Sequence, residues 1–205
     1  MTDEDGQPGS RTARSDLWLV LGTLAALSAL AVSRPAVAAD PQATLCAKIL
    51  LRALAYDAAL PERAKPEVVI AVLGAESSPP SLAEQQQMFD AFSALGSATV
   101  RKLPLRIVRI RYVDGAGFAA AAKNEKVSVV YLPESMTFAI KGLVSAAKSM
   151  PLVLMTRGAA NAEAGIALAV AFNGDKPMLL VNTKASAASG MRIDSDLLAV
   201  AKVIQ

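Results

Sequence analysis

The sequence predicts an α/β domain: a mostly parallel sheet flanked by helices, with a C-terminal β-hairpin and a terminal helix. Three observations carry this. Short apolar runs rich in β-branched residues recur at 67–73 (EVVIAVL), 126–132 (KVSVVYL) and 151–156 (PLVLMT). Such unbroken runs suit strands buried on both faces of a parallel sheet. Stretches with apolar residues at helical spacing alternate with them, which implies right-handed crossovers. Near the end two apolar runs flank Gly174-Asp175-Lys176, a hairpin signal.

The N-terminus reads as an address. Residues 1–16 are polar, with Arg11 and Arg14 as a weak positive region. Residues 17–32 carry no charge, and at about 16 positions fall short of the roughly 20 that span a bilayer. Ser33-Arg34-Pro35 and then Ala36-Val37-Ala38 complete the helix-breaking, small-x-small order of a secretory signal. The reading is a signal peptide over residues 1–38, cut after Ala38 or Ala39, and one exported domain over 39–205. The alternative is an uncleaved anchor, favoured by the length of the run and by Asp3, Glu4 and Asp5. Cys46 lies too far beyond the apolar run for a lipoprotein signal and reads as a buried helix residue.

In the exported part, residues 41–60 read as a helix with Leu45, Ile49, Ala53 and Tyr56 on one stripe, ended by Pro61 and Pro66. The strand 67–73 leads through Gly74 into a loop. Residues 81–95 form a helix opened by a Ser81/Glu84 capping box and closed by a left-handed Gly96. A strand over 105–112, a helix over 114–123 and a strand over 126–132 follow. A helix over 135–149 precedes the strand 151–156. The hairpin strands are 165–173 and 177–182, and short helices over 183–189 and 195–203 end the chain.

Composition excludes several functions. The chain has no histidine, the commonest general base and metal ligand. It has one cysteine and 4% aromatics, and its net charge is only +3. These totals argue against a nucleic-acid platform, a metal centre or a bound cofactor. Ser145-Ala146-Ala147-Lys148 matches S-x-x-K, but sits in the last turns of its helix rather than at a helix start. Asp114-Gly115-Ala116-Gly117 lacks the third glycine of a dinucleotide fingerprint. The expectation is a protein that is not an enzyme.

The C-terminal third resembles the YfiR-like family of periplasmic proteins. The likeness runs through Gly165-Ile166-Ala167-Leu168, the turn at Gly174-Asp175-Lys176, and Met178 to Asn182. It continues through the small-residue stretch from Lys184 to Gly190 and the segment from Met191 to Val203. The first helix and the strand after it sit where the family places them. The family's Trp-Pro at the end of that helix is reduced here to Pro61, with Tyr56 as the helix's only aromatic. The resemblance implies a periplasmic regulatory protein that binds and represses an inner-membrane signalling protein, a diguanylate cyclase or a sensor kinase. It also implies a homodimer. The alternative is a periplasmic small-molecule-binding protein feeding a receptor or transporter.

Candidate site residues follow from position. Ligands of open α/β sheets bind beyond the carboxyl ends of the strands. Glu76, Ser77, Ser135, Thr156 and Arg157 fall there, with Ser135 opening a helix whose N-terminus favours anions. Arg192, before the last helix, is the candidate partner contact. Asn182 reads as a helix cap. Arg106, Arg109 and Arg111 form a basic strand, either facing an acidic partner or anionic lipid or guarding a sheet edge.

Overall fold

The computed structural model describes residues 40–205; the leader read over 1–38 lies outside them. The chain forms α1 (Pro41–Leu54), α2 (Leu60–Arg63), β1 (Val68–Gly74), α3 (Pro79–Ala94), β2 (Thr99–Val100) and β3 (Leu103–Arg111). It goes on through α4 (Gly115–Asn124), β4 (Val129–Leu132), α5 (Ile140–Ser149), β5 (Val153–Arg157), α6 (Ala159–Glu163) and β6 (Leu168–Asn173). It closes with β7 (Lys176–Asn182), α7 (Thr183–Ala188), α8 (Ser195–Val200) and β8 (Lys202–Ile204).

The eight strands make one sheet in the order β2-β3-β1-β4-β5-β6-β7-β8. β3, β1, β4, β5 and β6 run parallel, β7 is antiparallel to β6, and β8 is parallel to β7. All of β1 and β4 is buried, which is why their sequences show no polar alternation. Alternate strand residues feed two cores. Val68, Ile70, Val72, Val129 and Tyr131 pack with α1 and α3 through Leu50, Leu54, Met88 and Phe92. Val69, Ala71, Leu73, Val130 and Leu132 pack with α4 and α5 through Phe118, Ile140 and Leu143. No helix among the described residues is long and apolar enough to cross a membrane.

Several sequence expectations are corrected. The first helix stops at Leu54, not at residue 60, because the chain turns to bury Asp57. The Asp57 carboxylate accepts from the Ala59 and Arg192 backbone N–H groups and pairs with Arg63. Pro61 lies in the first turn of α2, where its missing N–H costs nothing. The second long helix starts at Pro79, so Ser81 and Glu84 are no capping box; both are buried and bond elsewhere. Gly96 is not left-handed; among the described residues the positive-φ glycines are 158, 165, 174 and 190. Residues 137–139 form a 3-10 turn before α5, and the terminal helix ends at Val200 because the last residues pair with β7.

Each arginine of β3 has its own carboxylate within 4 Å. Arg106 bonds Glu67 and Glu125, and Arg111 lies 3.6 Å from Glu76. Arg109 stacks 3.7 Å over the Phe89 ring and donates to Gln86 Oε1. Its nearest carboxylate, Asp90, lies 3.8 Å away. β2 covers only Leu103 and Pro104, joined to them by a tight turn in which Arg101 and Lys102 take positive φ.

Candidate functional site

In this strand order the direction of winding reverses between β1 and β4, where a ligand crevice is expected. α3 fills it. Gln85 Nε2 donates to the Val72 and Ile110 carbonyls at 2.8 and 3.3 Å. Gly74 makes room for that amide: a Cβ there would stand 2.7 Å from Gln85 Oε1. Beside it Glu84 accepts from the Tyr131 hydroxyl at 2.7 Å and the Glu134 backbone N–H at 2.9 Å. Ser81 accepts from Ala75 N at 2.9 Å and so ties the loop after β1 to the helix.

The open space is displaced one strand along, to the ends of β4 and β5. Arg157, the last residue of β5, stands there with its side chain 23% exposed. Its Nε lies 3.9 Å from Glu84 Oε1 and 3.9 Å from Glu134 Oε2, beyond hydrogen-bond range. The guanidinium makes no side-chain hydrogen bond among the described residues. Two clefts meet at it. One, of about 400 Å³, is lined by Pro80, Ala83, Glu84, Gln87, Ser135 and the Arg157–Glu134 pair. The other, of about 380 Å³, is lined by that pair with Gln42, Gly158, Ala159, Ala171 and Phe172.

The second carboxylate is held in place. The backbone of Glu134 is bonded on both sides, its N–H to Glu84 and its carbonyl to Asn161 Nδ2 at 3.3 Å. Its side chain rests on Gly158, where φ is +97° and a Cβ would fall 2.4 Å from Glu134 Oε1. Only glycine meets both requirements.

The groups beneath the clefts are chemically quiet. Burial pushes the Cys46 thiol up to about 12, and burial drives the Tyr131 hydroxyl well above its usual range. Burial also raises Glu84, against the lowering effect of the Tyr131 hydrogen bond and the Arg157 charge. No group of three or more Cys, Asp or Glu side chains among the described residues is arranged to share a metal ion.

The residues expected at the strand ends separate. Arg157 and Ser135 line a cleft. Ser135 opens no helix; it is exposed in the turn before residues 137–139. Thr156 is buried away from the clefts, its hydroxyl donating to the Leu132 carbonyl at 2.8 Å and accepting from Asn161. Glu76 and Ser77 are exposed on the loop after β1 and line neither cleft. Arg192 lies elsewhere, exposed and paired with Glu62 at 2.6 Å. Asn182 caps α7, accepting from Ala185 N at 2.8 Å and donating to the Ala162 carbonyl. Sequence reasoning missed Glu84, Glu134 and Gln42. Glu134 directly follows the β4-end proline, and that position was its only signal.

Comparisons with known proteins give three findings. A family model described as DUF4154, YfiR/HmsC-like, matches residues 43–202. No curated protein matches the chain. Among solved structures, a conserved domain protein from Vibrio cholerae O1 biovar El Tor is similar at TM-score 0.54 and 16% identity, over 71% of this chain and 57% of that one. An ABC domain from Streptococcus pneumoniae in complex with L-Trp is similar at 0.52 and 15%, over 74% and 60%. CD0873, a substrate-binding protein with adhesive properties from Clostridium difficile, is similar at 0.53 and 14%, over 72% and 57%. The chain spans less than two thirds of each of these structures, and at such identities the likeness is one of fold.

Proposed function

The chain belongs to the YfiR/HmsC-like family, and from that membership we propose that it is a periplasmic regulator which binds an inner-membrane signalling protein and represses it. The carrying observation is the extent of the match, residues 43–202, nearly the whole described domain. The partner in this reading is a diguanylate cyclase, with a sensor kinase as the second choice. Repression requires that the regulator bind the inactive state of that partner more tightly than the active one. Arg192, exposed beside Glu62, is the proposed contact, and a homodimer is the proposed form.

The described side chains fit a protein that works by contact. A thiol with a pKa near 12 is not a thiolate nucleophile at neutral pH. Ser145 and Lys148 lie exposed on the final turns of α5. The test is co-purification from inner-membrane extract with the full chain as bait, followed by cyclase assay of the captured protein. Recovery of a cyclase whose output falls on adding the chain is the expected result. Recovery of no signalling protein, or a cyclase indifferent to the chain, sinks the proposal.

A second reading, a periplasmic small-molecule binder, has one specific observation in its favour. Arg157 presents unused hydrogen-bond donors to two clefts at the strand ends.

A further inference from the structure

We propose that the paired clefts at Arg157 bind a small zwitterion, one carrying a carboxylate and an ammonium group a few bonds apart, as α-amino acids do. This rests on the reading of those clefts as a ligand site, and adds to it the class of ligand. The argument is one of charge placement. An arginine offers five N–H donors in a planar fork that matches a carboxylate. At Arg157 the side-chain donors make no bond within the described protein, and the nearest carboxylates stand 3.9 Å off.

A lone anion is disfavoured there. It would approach Arg157 past Glu84 and Glu134, and two carboxylates against one guanidinium leave the cluster negative. A lone cation is disfavoured too, because Arg157 stands between the two acids. A molecule with both charges satisfies both walls. Its carboxylate takes the guanidinium fork, and its ammonium takes Glu134.

Glu134 is suited to that role. Its side chain is 56% exposed, while its backbone is fixed by Glu84 and Asn161. Gly158 lets its carboxylate lie close against the end of β5. Glu84 is suited to a different one: it is bonded to Tyr131 and to the backbone, so it forms the floor and leaves Glu134 as the acceptor for the ligand. The clefts also hold amide groups at Gln42 and Gln87 and an aromatic ring at Phe172. Each cleft thus offers a side chain of the ligand one amide, and the cleft with Gln42 adds the Phe172 ring. At about 380 and 400 Å³ the clefts fall at the small end of ligand pockets, the size of a metabolite rather than a peptide.

The experiment is thermal-shift screening of the full chain with the twenty common α-amino acids, followed by calorimetry on any that stabilise. Acetate and methylammonium are the single-charge controls. At least one amino acid is expected to raise the melting temperature, because a ligand of the folded state alone stabilises it. Neither control should do so. R157K, which keeps the charge but loses the fork, and E134Q, at an exposed position, should each weaken binding by at least about tenfold. Their own melting curves without ligand report whether they fold. Stabilisation by acetate or methylammonium alone, or undiminished affinity in folded R157K and E134Q, overturns the zwitterion assignment while leaving a ligand site. No stabilisation by any probe overturns the site itself.

Discussion

Two arginines at opposite ends of the parallel strands meet carboxylates in opposite ways. Arg63, in α2 just before β1, is 9% exposed and paired directly with a fully buried Asp57. Its Nη1 also donates to the Ser189 carbonyl at 3.0 Å. Asp57 in turn accepts from two backbone N–H groups, one of them 135 residues away at Arg192. Arg157, at the end of β5, stands off two carboxylates at 3.9 Å and faces open clefts. The first constellation is a closed knot that joins the α1–α2 turn to the C-terminal segment. The second is held in place but not closed on itself. A guanidinium buried against its carboxylate serves the fold, and one whose donors face an opening is available to something else.

That contrast breaks or sharpens under mutation. D57A should have the largest effect. It leaves Arg63, whose Nε already lacks a partner, as an uncompensated buried charge, a loss of about 3–5 kcal/mol. Urea unfolding measures it. A loss under about 1 kcal/mol would show that the knot is solvated and the contrast false. Next is Q85A, which strips two buried carbonyls of their side-chain donor and should cost about 1–3 kcal/mol. An unchanged midpoint would mean that the Gln85 amide does not hold α3 to β1 and β3.

A smaller effect concerns pH. Burial raises Glu84, so the folded chain holds that proton more tightly than the unfolded chain. Its contribution to stability is therefore most favourable below the ordinary glutamate value of about 4.3, and falls as pH rises through that value toward the raised one. E84Q should flatten that part of the stability-against-pH curve. An equal slope in both proteins would place the titration elsewhere. The smallest effect is expected for R157Q, whose stability should move by less than about 1 kcal/mol because its ion pairs are long and partly solvated. A loss as large as that of D57A would make Arg157 a second knot.

The strands were readable because a strand buried on both faces has a continuous apolar sequence, and Val68 to Leu73 needs no partner to be recognised. β8 was not readable. Lys202, Val203 and Ile204 suit a helix as well as a strand, and pairing with Leu180, Val181 and Asn182 decides between them. Of the cleft, Arg157 and Ser135 were visible from their place after strands. Glu84 was not, because Ser81 and Glu84 have the spacing of a capping box, and only the third dimension shows Tyr131 and Glu134 within its reach. Asp57 was hidden for the same reason: its neighbours in sequence suggested a helix, and its partner at Arg192 lies at the far end of the chain.

The contact between Gly74 and Gln85 has a consequence for inheritance. An alanine at 74 would drive its methyl into the bonded amide, while a shorter residue at 85 alone would leave two strand-end carbonyls bare. Each single step is penalised, and exchanging both at once relieves only the clash, because a methyl at 74 cannot donate to those carbonyls. Across descendants of this chain glycine at 74 should therefore persist wherever a full-length amide stands at 85.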